Sequence, residues 1–168
     1  KLQLSEVQLL ATLMEEQHDT LDQADGAMNY AREQIDEGEL EEAYKSMQRG
    51  CDLYRQVLGN SHRDTISAII ELSNLLVDLG RRTDAEPLLA EALKAREVTL
   101  GQMHPDYSLI VTKIGNLYRD LGQYSKAEEY LLLAMEIDAE IYGKNHEWYA
   151  QDLKNLASLC NLTSNPSQ

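Results

Sequence analysis

The sequence lacks phenylalanine, has only two cysteines, and contains no long apolar run. The short apolar runs argue against a transmembrane helix and against the apolar core of a signal peptide. Cys51 and Cys160 lie far apart and do not share the spacing of a zinc site. We therefore expect reduced, buried thiols in a cytosolic or nuclear protein, with the cytoplasm as the predicted location.

Basic residues are also scarce, with 15 Lys and Arg against 29 Asp and Glu, which gives a net charge of −14. A nucleic-acid-binding protein neutralises phosphates with Lys and Arg, so this charge argues against nucleic acid as a partner. Anionic membrane surfaces repel a protein of negative net charge, so the charge also argues against binding to such membranes.

Catalytic motifs are missing too: the sequence has no nucleophile elbow, phosphate-binding loop, dinucleotide fingerprint or zinc spacing. Adjacent acidic residues such as Glu41 and Glu42 diverge by about 100° on a helix, so they form solvated faces rather than catalytic pairs. We expect a protein that is not an enzyme and that uses neither a cofactor nor a metal.

What the sequence does contain is a repeat of 42 residues. A fixed period of this size is typical of solenoids, which stack one supersecondary unit on the next and expose long binding surfaces. The landmarks that keep the period are Gly38, Gly80 and Gly122; Gly59, Gly101 and Gly143; Ala43, Ala85 and Ala127; and His62, His104 and His146.

Each repeat predicts two antiparallel helices, here called helix A and helix B. In the third copy, Asp106 is the predicted N-cap of helix A, and Gly122 ends that helix in a conformation that favours glycine. Ser125 and Glu128 then have the spacing of a capping box at the start of helix B, which Gly143 ends.

The three periodic histidines could suggest a metal array, but we interpret them as structural. Each lies in a turn between repeats, where its ring can hydrogen-bond the neighbouring backbone. Consecutive copies are separated by a whole helix pair, which is too far for shared ligation.

Residues 5–37 fit the repeat poorly and allow either one long helix or two. We favour a break, since Asp19 or Thr20 can serve as an N-cap and Gly26 weakens a long helix. The predicted divisions are an N-terminal helix over 1–21, a repeat domain over 22–162 with copies at about 22–63, 64–105 and 106–146 and a last helix at 147–162, and a disordered tail over 163–168.

The pattern within the third copy resembles the tetratricopeptide repeat. That motif has a small residue in helix A, an aromatic three positions later, and small, large and small residues along helix B; here these are Gly115, Tyr118, Ala127, Leu131 and Ala134. The turns LGNSHRD and LGQMHPD, together with a period longer than the standard 34 residues, resemble the kinesin light chain class. The resemblance implies an all-α, right-handed solenoid of antiparallel helix pairs.

The resemblance also implies a concave groove lined by the helices A. The predicted peptide-binding residues are Arg32, Ile70, Asn74, Asp78, Thr112, Lys113, Asn116, Arg119 and Lys154. All but Lys113 are carried over from the groove positions of the repeat, and Lys113 is included as a basic residue that could contact a ligand. Since asparagine side chains both donate and accept hydrogen bonds, Asn74 and Asn116 could hold a peptide backbone.

The leading functional hypothesis is a non-enzymatic, adaptor-like scaffold that binds a peptide segment of a partner protein. The acidic composition favours a ligand with basic flanks. Two alternatives stay open at this point: a structural module that self-associates, and a docking or sensor segment of a larger signalling protein.

Overall fold

The computed structural model describes residues 4–164, and within them it contains seven α-helices and no strand. This confirms the predicted all-α architecture of successive helix pairs. The helices are α1 (Leu4–Glu37), α2 (Leu40–Leu58), α3 (Arg63–Asp78), α4 (Arg82–Leu100), α5 (Pro105–Asp120), α6 (Tyr124–Tyr142) and α7 (Glu147–Ser164).

The chain divides into two compact units, Lys1–Leu75 and Leu76–Gln168. In the first unit α1 packs on α2, and in the second α5 packs on α4 and α6, with α7 packed on α6. The division into an N-terminal helix and a repeat domain at residues 21 and 22 stays a prediction.

The favoured helix break near residue 20 is wrong, because α1 is continuous from Leu4 to Glu37. The Thr20 hydroxyl donates to the carbonyl of Glu16 at 2.7 Å within the helix, so it does not cap a new one. Gly26 is accommodated in the helix interior. The side chains of residues 5–19 are all exposed, and burial begins only at Ala24.

The turn from helix A to helix B has the same hydrogen bonds in all three copies. After α5, the Gly122 N–H donates to Arg119 at 3.0 Å and the Gln123 N–H donates to Tyr118 at 2.8 Å. Gly122 has φ of 72°, a value that glycine adopts without strain. These are the bonds of a Schellman motif, and Gly38 and Gly80 repeat them.

This turn explains why the predicted capping box is wrong. The residue that completes the Schellman motif, Gln123, is itself the N-cap of α6, so the helix begins at Tyr124. Ser125 therefore lies inside the first turn, and no side chain caps the helix. The equivalent N-cap of α4, Arg81, also lacks a side-chain cap.

The periodic histidines cap the helices A. His104 is the N-cap of α5, and its Nδ1 accepts a hydrogen bond from the Asp106 N–H at 3.1 Å. His62 and His146 accept the equivalent bonds from Asp64 and Trp148 at 3.3 and 3.2 Å. The prediction that these rings bond the backbone is confirmed, whereas the prediction that Asp106 is the N-cap is wrong.

The two cysteines differ in their surroundings: Cys51 is buried, as predicted, and Cys160 is exposed. Cys160 occupies the repeat position of Tyr118, whose ring packs against Tyr130 of α6 with 5.5 Å between centroids. No described helix follows α7 to cover Cys160 in the same way. The prediction of two core cysteines is therefore wrong for the second.

The end of the chain differs in part from the prediction of a disordered tail over 163–168. Thr163 and Ser164 belong to α7, and the Thr163 hydroxyl donates to the Cys160 carbonyl at 3.0 Å. Residues 165–168 lie outside the described residues. None of the described helices combines the length and the apolar character needed to cross a bilayer.

Small residues set the distance between paired helices. A Cβ atom added to Gly115 of α5 would lie 2.8 Å from the side chain of Leu131 and 3.3 Å from its backbone nitrogen in α6. In the first unit, a Cβ added to Gly50 of α2 would lie 2.8 Å from the sulfur of Met28 in α1. Real Cβ atoms keep larger distances, so a side chain at either glycine would force its neighbour on the paired helix to move.

We predict opposite effects of alanine at two helix-interior glycines. Gly26→Ala should raise the free energy of unfolding by about 0.5–1 kcal/mol, because the added methyl group meets nothing within 4 Å and alanine favours helix. Gly115→Ala should lower the free energy of unfolding by about 1–3 kcal/mol, since the buried Leu131 must move. Urea denaturation measures both, and equal effects at the two positions would contradict this packing.

Candidate functional site

The predicted groove residues lie on helices A, and they fall into both compact units. The first unit holds Arg32 of α1 and Ile70 and Asn74 of α3, and the second holds Asp78, Thr112, Lys113, Asn116, Arg119 and Lys154. The structure brings Asn116 and Arg119 into direct contact.

In the first unit, Arg32 is held by an acidic residue that the sequence analysis did not select. Its guanidinium donates to both carboxylate oxygens of Glu71, at 3.0 and 2.9 Å, and to Asn29 at 2.9 Å. The hydrogen bond with Glu71 is the main cause that raises the pKa of Arg32. Arg32 is therefore oriented by its own chain, with half of its side chain exposed.

In the second unit, Arg119 and Asn116 form a connected pair. Arg119 donates to the Asn116 side-chain oxygen at 3.0 Å and to Asp120 at 3.0 and 2.9 Å. Because the amide oxygen of Asn116 is occupied, its NH₂ group is the part that can donate to a ligand. The two residues are half-buried.

The two predicted lysines differ from each other. Lys113 of α5 is half-buried, and burial lowers its pKa. Lys154 of α7 is exposed and forms no ion pair with any described residue. Of these two lysines, Lys154 is therefore the more accessible to a ligand.

An acidic pocket lies between α5, α6 and α7, wholly within the second unit. It has a volume of about 200 Å³. Its lining residues are Pro105, Asp106, Leu109 and Thr112 of α5, Asp138 and Tyr142 of α6, and Trp148, Gln151 and Asp152 of α7. Thr112 is one of the predicted groove residues, so the pocket adjoins the predicted binding face.

Two carboxyl groups of the pocket are almost fully buried: Asp138 is 6% exposed and Asp152 is 2% exposed. Asp138 Oδ1 and Asp152 Oδ2 are buried without any hydrogen-bond partner. Burial, followed by the nearby carboxyl group of Asp138, raises the pKa of Asp152 to about 7.

His146 connects two aromatic walls of the pocket. Its ring stacks on Tyr142 with 4.5 Å between centroids, and its Nδ1 accepts the N–H of Trp148. The histidine that caps α7 therefore also fixes the positions from which Tyr142 and Trp148 reach the pocket.

Sequence reasoning missed the acidic pair, although a signal was present. Asp138 follows Ala134 by one turn on the buried face of helix B, and Asp152 occupies the repeat position of the buried Ile110. A carboxyl group at a position that is apolar in another copy is the pattern that could have indicated a site. The described residues contain no group of three or more metal-binding side chains.

Comparisons with known proteins concern family and fold. Sequence profiles of the family described as tetratricopeptide repeat match residues 65–106 and 107–168. A search of curated protein sequences gave no significant match.

Three solved structures are similar in fold. The Q17M crystal structure of the Podosopora anserina putative kinesin light chain with nearly identical TPR-like repeats has a TM-score of 0.77 and 20% identity, over 96% of this chain and 78% of that one. BtubC (BKLC) from P. vanneervenii has a TM-score of 0.75 and 14% identity, over 84% and 57%. The apo form of RapI has a TM-score of 0.73 and 17% identity, over 96% and 43%. The chain thus spans less than two thirds of BtubC and of RapI.

We predict that Asp152→Asn stabilises the protein at high pH. The pKa of Asp152 is about 7 in the folded chain against an ordinary value of 3.8, so the folded state binds this proton more tightly. Its contribution to stability is present below pH 4 and is lost as the pH rises to about 7. Because the asparagine amide can donate to Asp138 without ionising, the variant should melt roughly 2–4 °C higher than wild type at pH 8, which corresponds to about 1 kcal/mol.

Melting followed by circular dichroism at pH 4, 6 and 8 measures this effect. The matched control is Glu136→Gln, which removes an equal charge from an exposed position of α6. A variant that melts lower than wild type at pH 8, or a gain that is as large at pH 4, would contradict the raised pKa of Asp152.

Proposed function

Since the chain belongs to the tetratricopeptide-repeat family, with repeats of kinesin light chain-like form, we propose that it binds a peptide segment of a partner protein along its helices A. Repeats of this family form protein–protein interaction modules. The binding is non-enzymatic in this proposal, and the protein acts as an adaptor.

The observation that carries the proposal is the face of α5. Leu109, Thr112, Asn116 and Arg119 follow one another at spacings of three and four residues, so they share one side of the helix. Leu109 is 45% exposed and gives an apolar contact, while the oriented Asn116 amide gives a donor for a peptide carbonyl. Apolar anchors beside a few placed polar groups are typical of peptide-binding grooves.

The charge of the chain supports a ligand with basic flanks. A net charge of −14 attracts cationic segments over long distances and raises their rate of encounter. Arg32 and Arg119 do not oppose this attraction strongly, because each is paired with a carboxylate of its own chain.

We predict that Asn116→Ala and Arg119→Ala each weaken peptide binding about tenfold, with little change in melting temperature. Asn116→Ala removes the amide that donates to the peptide, and Arg119→Ala removes the hydrogen bond that orients this amide. A lost hydrogen bond of this kind is worth about 1–1.5 kcal/mol. Peptides selected from a random 12-residue phage-displayed library supply the ligand, and fluorescence anisotropy measures the affinity, which we expect to be micromolar.

The matched controls are Asn60→Ala, in the turn before α3, and Arg63→Ala, at the first residue of α3; both residues are exposed. The double variant of Asn116 and Arg119 should bind about as weakly as either single variant, because the two residues act through one hydrogen bond. If both single variants bind as wild type does, this face is not the binding surface. The exposed apolar side chains of α1, Val7, Leu9, Leu10, Leu13 and Met14, then become the next surface to test.

A further inference from the structure

We propose that the pocket between α5, α6 and α7 receives a lysine or arginine side chain of the bound partner, with its cationic group between Asp138 and Asp152. This inference rests on the proposed function, since it assigns one specific contact of the partner on the same face. It goes further by assigning the buried acidic pair a ligand of defined charge.

Each of the two carboxyl groups has a buried oxygen without a hydrogen-bond partner. Buried polar atoms are hydrogen-bonded in the great majority of cases, and a buried acceptor without a donor is costly. Asp138 and Asp152 each keep one buried oxygen without a partner, and both residues line the pocket. A cation that donates hydrogen bonds would satisfy both oxygens at once.

The other copies of the repeat have a hydrogen-bond donor at the position of Asp138. Steps of 42 residues lead from Tyr54 to Arg96 and to Asp138, so these three side chains occupy one position of helix B. Tyr54 donates a hydrogen bond to Asp25, and Arg96 forms an ion pair with Asp106 at 3.4 Å. Two copies therefore have a hydrogen-bond donor at this position. The third copy instead has the carboxyl group of Asp138, in the same pocket as the carboxyl group of Asp152.

The size and the walls of the pocket suit one long basic side chain. Its walls include Leu109, Tyr142 and Trp148, which suit the methylene groups of a lysine or arginine stem. Aromatic rings also attract a cation that lies over them. The volume of about 200 Å³ is below the 300–1,000 Å³ or so of pockets for drug-sized ligands, and it fits a single side chain.

The charge of the lining residues also favours a cation. Every charged side chain that lines the pocket is acidic, namely Asp106, Asp138 and Asp152. Asp106 is neutralised by Arg96, so the unmet negative charge belongs to the other two. Burial raises the pKa of Asp152 to about 7, and a cation bound beside this carboxyl group would favour its ionised form.

The test uses Trp148, which is the single tryptophan of the chain and lines the pocket. The probe is Nα-acetyl-arginine amide at pH 8, and its matched control is Nα-acetyl-citrulline amide, which has nearly the same shape without the charge. We expect the arginine compound to change tryptophan fluorescence with a dissociation constant of about 1 mM, and the citrulline compound to bind at least tenfold more weakly.

The variants Asp138→Asn and Asp152→Asn should each weaken binding of the arginine compound at least tenfold, while Glu136→Gln should bind it as wild type does. Circular dichroism shows that each variant is folded. Equal binding of the citrulline compound, or wild-type binding by both asparagine variants, would overturn the proposal. A fluorescence change with calcium chloride that competes with the arginine compound and needs both aspartates would also overturn it, in favour of a metal site.

A second arm separates this inference from the proposed function. In a peptide selected from the phage-displayed library, each arginine is replaced by citrulline, and each lysine by acetyl-lysine. If binding depends on Asn116 but tolerates every replacement, the pocket proposal fails and the proposed function stands. If no peptide is selected but arginine amide binds in an Asp152-dependent way, the proposed function fails and the cation specificity of the pocket stands.

Discussion

The close approach of paired helices is the constraint on which the rest of the structure depends. Ala43, Ala85 and Ala127 have no exposed surface, and the glycines at residues 50 and 115 leave no space for a methyl group. Small residues let α2 lie directly against α1 in the first unit, and α6 against α5 in the second. The side chains of helices A therefore extend from fixed positions, and loops contribute little to the predicted binding face.

The turns between helices have the same hydrogen bonds from copy to copy, whereas the buried polar contacts differ. The same backbone hydrogen bonds follow Gly38, Gly80 and Gly122, and the same histidine cap precedes three helices. One position of helix B instead holds a tyrosine, an arginine and an aspartate in successive copies. The acidic pocket lies in the copy whose residue at this position, Asp138, has no donor of its own chain at one buried oxygen. The contact that we propose for a basic side chain is therefore placed where the copies differ.

Much of the fold could be predicted from the sequence because it depends on local chemistry with a fixed period. Glycines that require positive φ and apolar stripes at helical spacing indicate where helices end and which faces are buried. The exact helix starts could not be predicted. Helices B begin directly after the Schellman turn, and helices A begin at a capping histidine. Histidine is not among the usual N-cap residues.

The candidate site was predicted less completely, since its features depend on contacts between helices. Periodicity placed Asn116 and Arg119 on one face, but it could not show that Asn116 is oriented by Arg119 or that Arg32 is paired with Glu71. The acidic pair was missed because Asp138 and Asp152 lie on different helices, 14 residues apart in sequence. Only packing of α7 on α6 brings the two carboxyl groups together.

The central claim is that a partner segment with basic residues binds the helix A face of the second unit. Amide chemical shifts of the ¹⁵N-labelled chain, recorded with and without an arginine-containing peptide selected for binding, test this claim most directly. We expect the largest changes at Leu109, Asn116 and Trp148 and at the Asp152 amide. Changes confined to residues 5–19 of α1, with none in α5 or α7, would contradict the account.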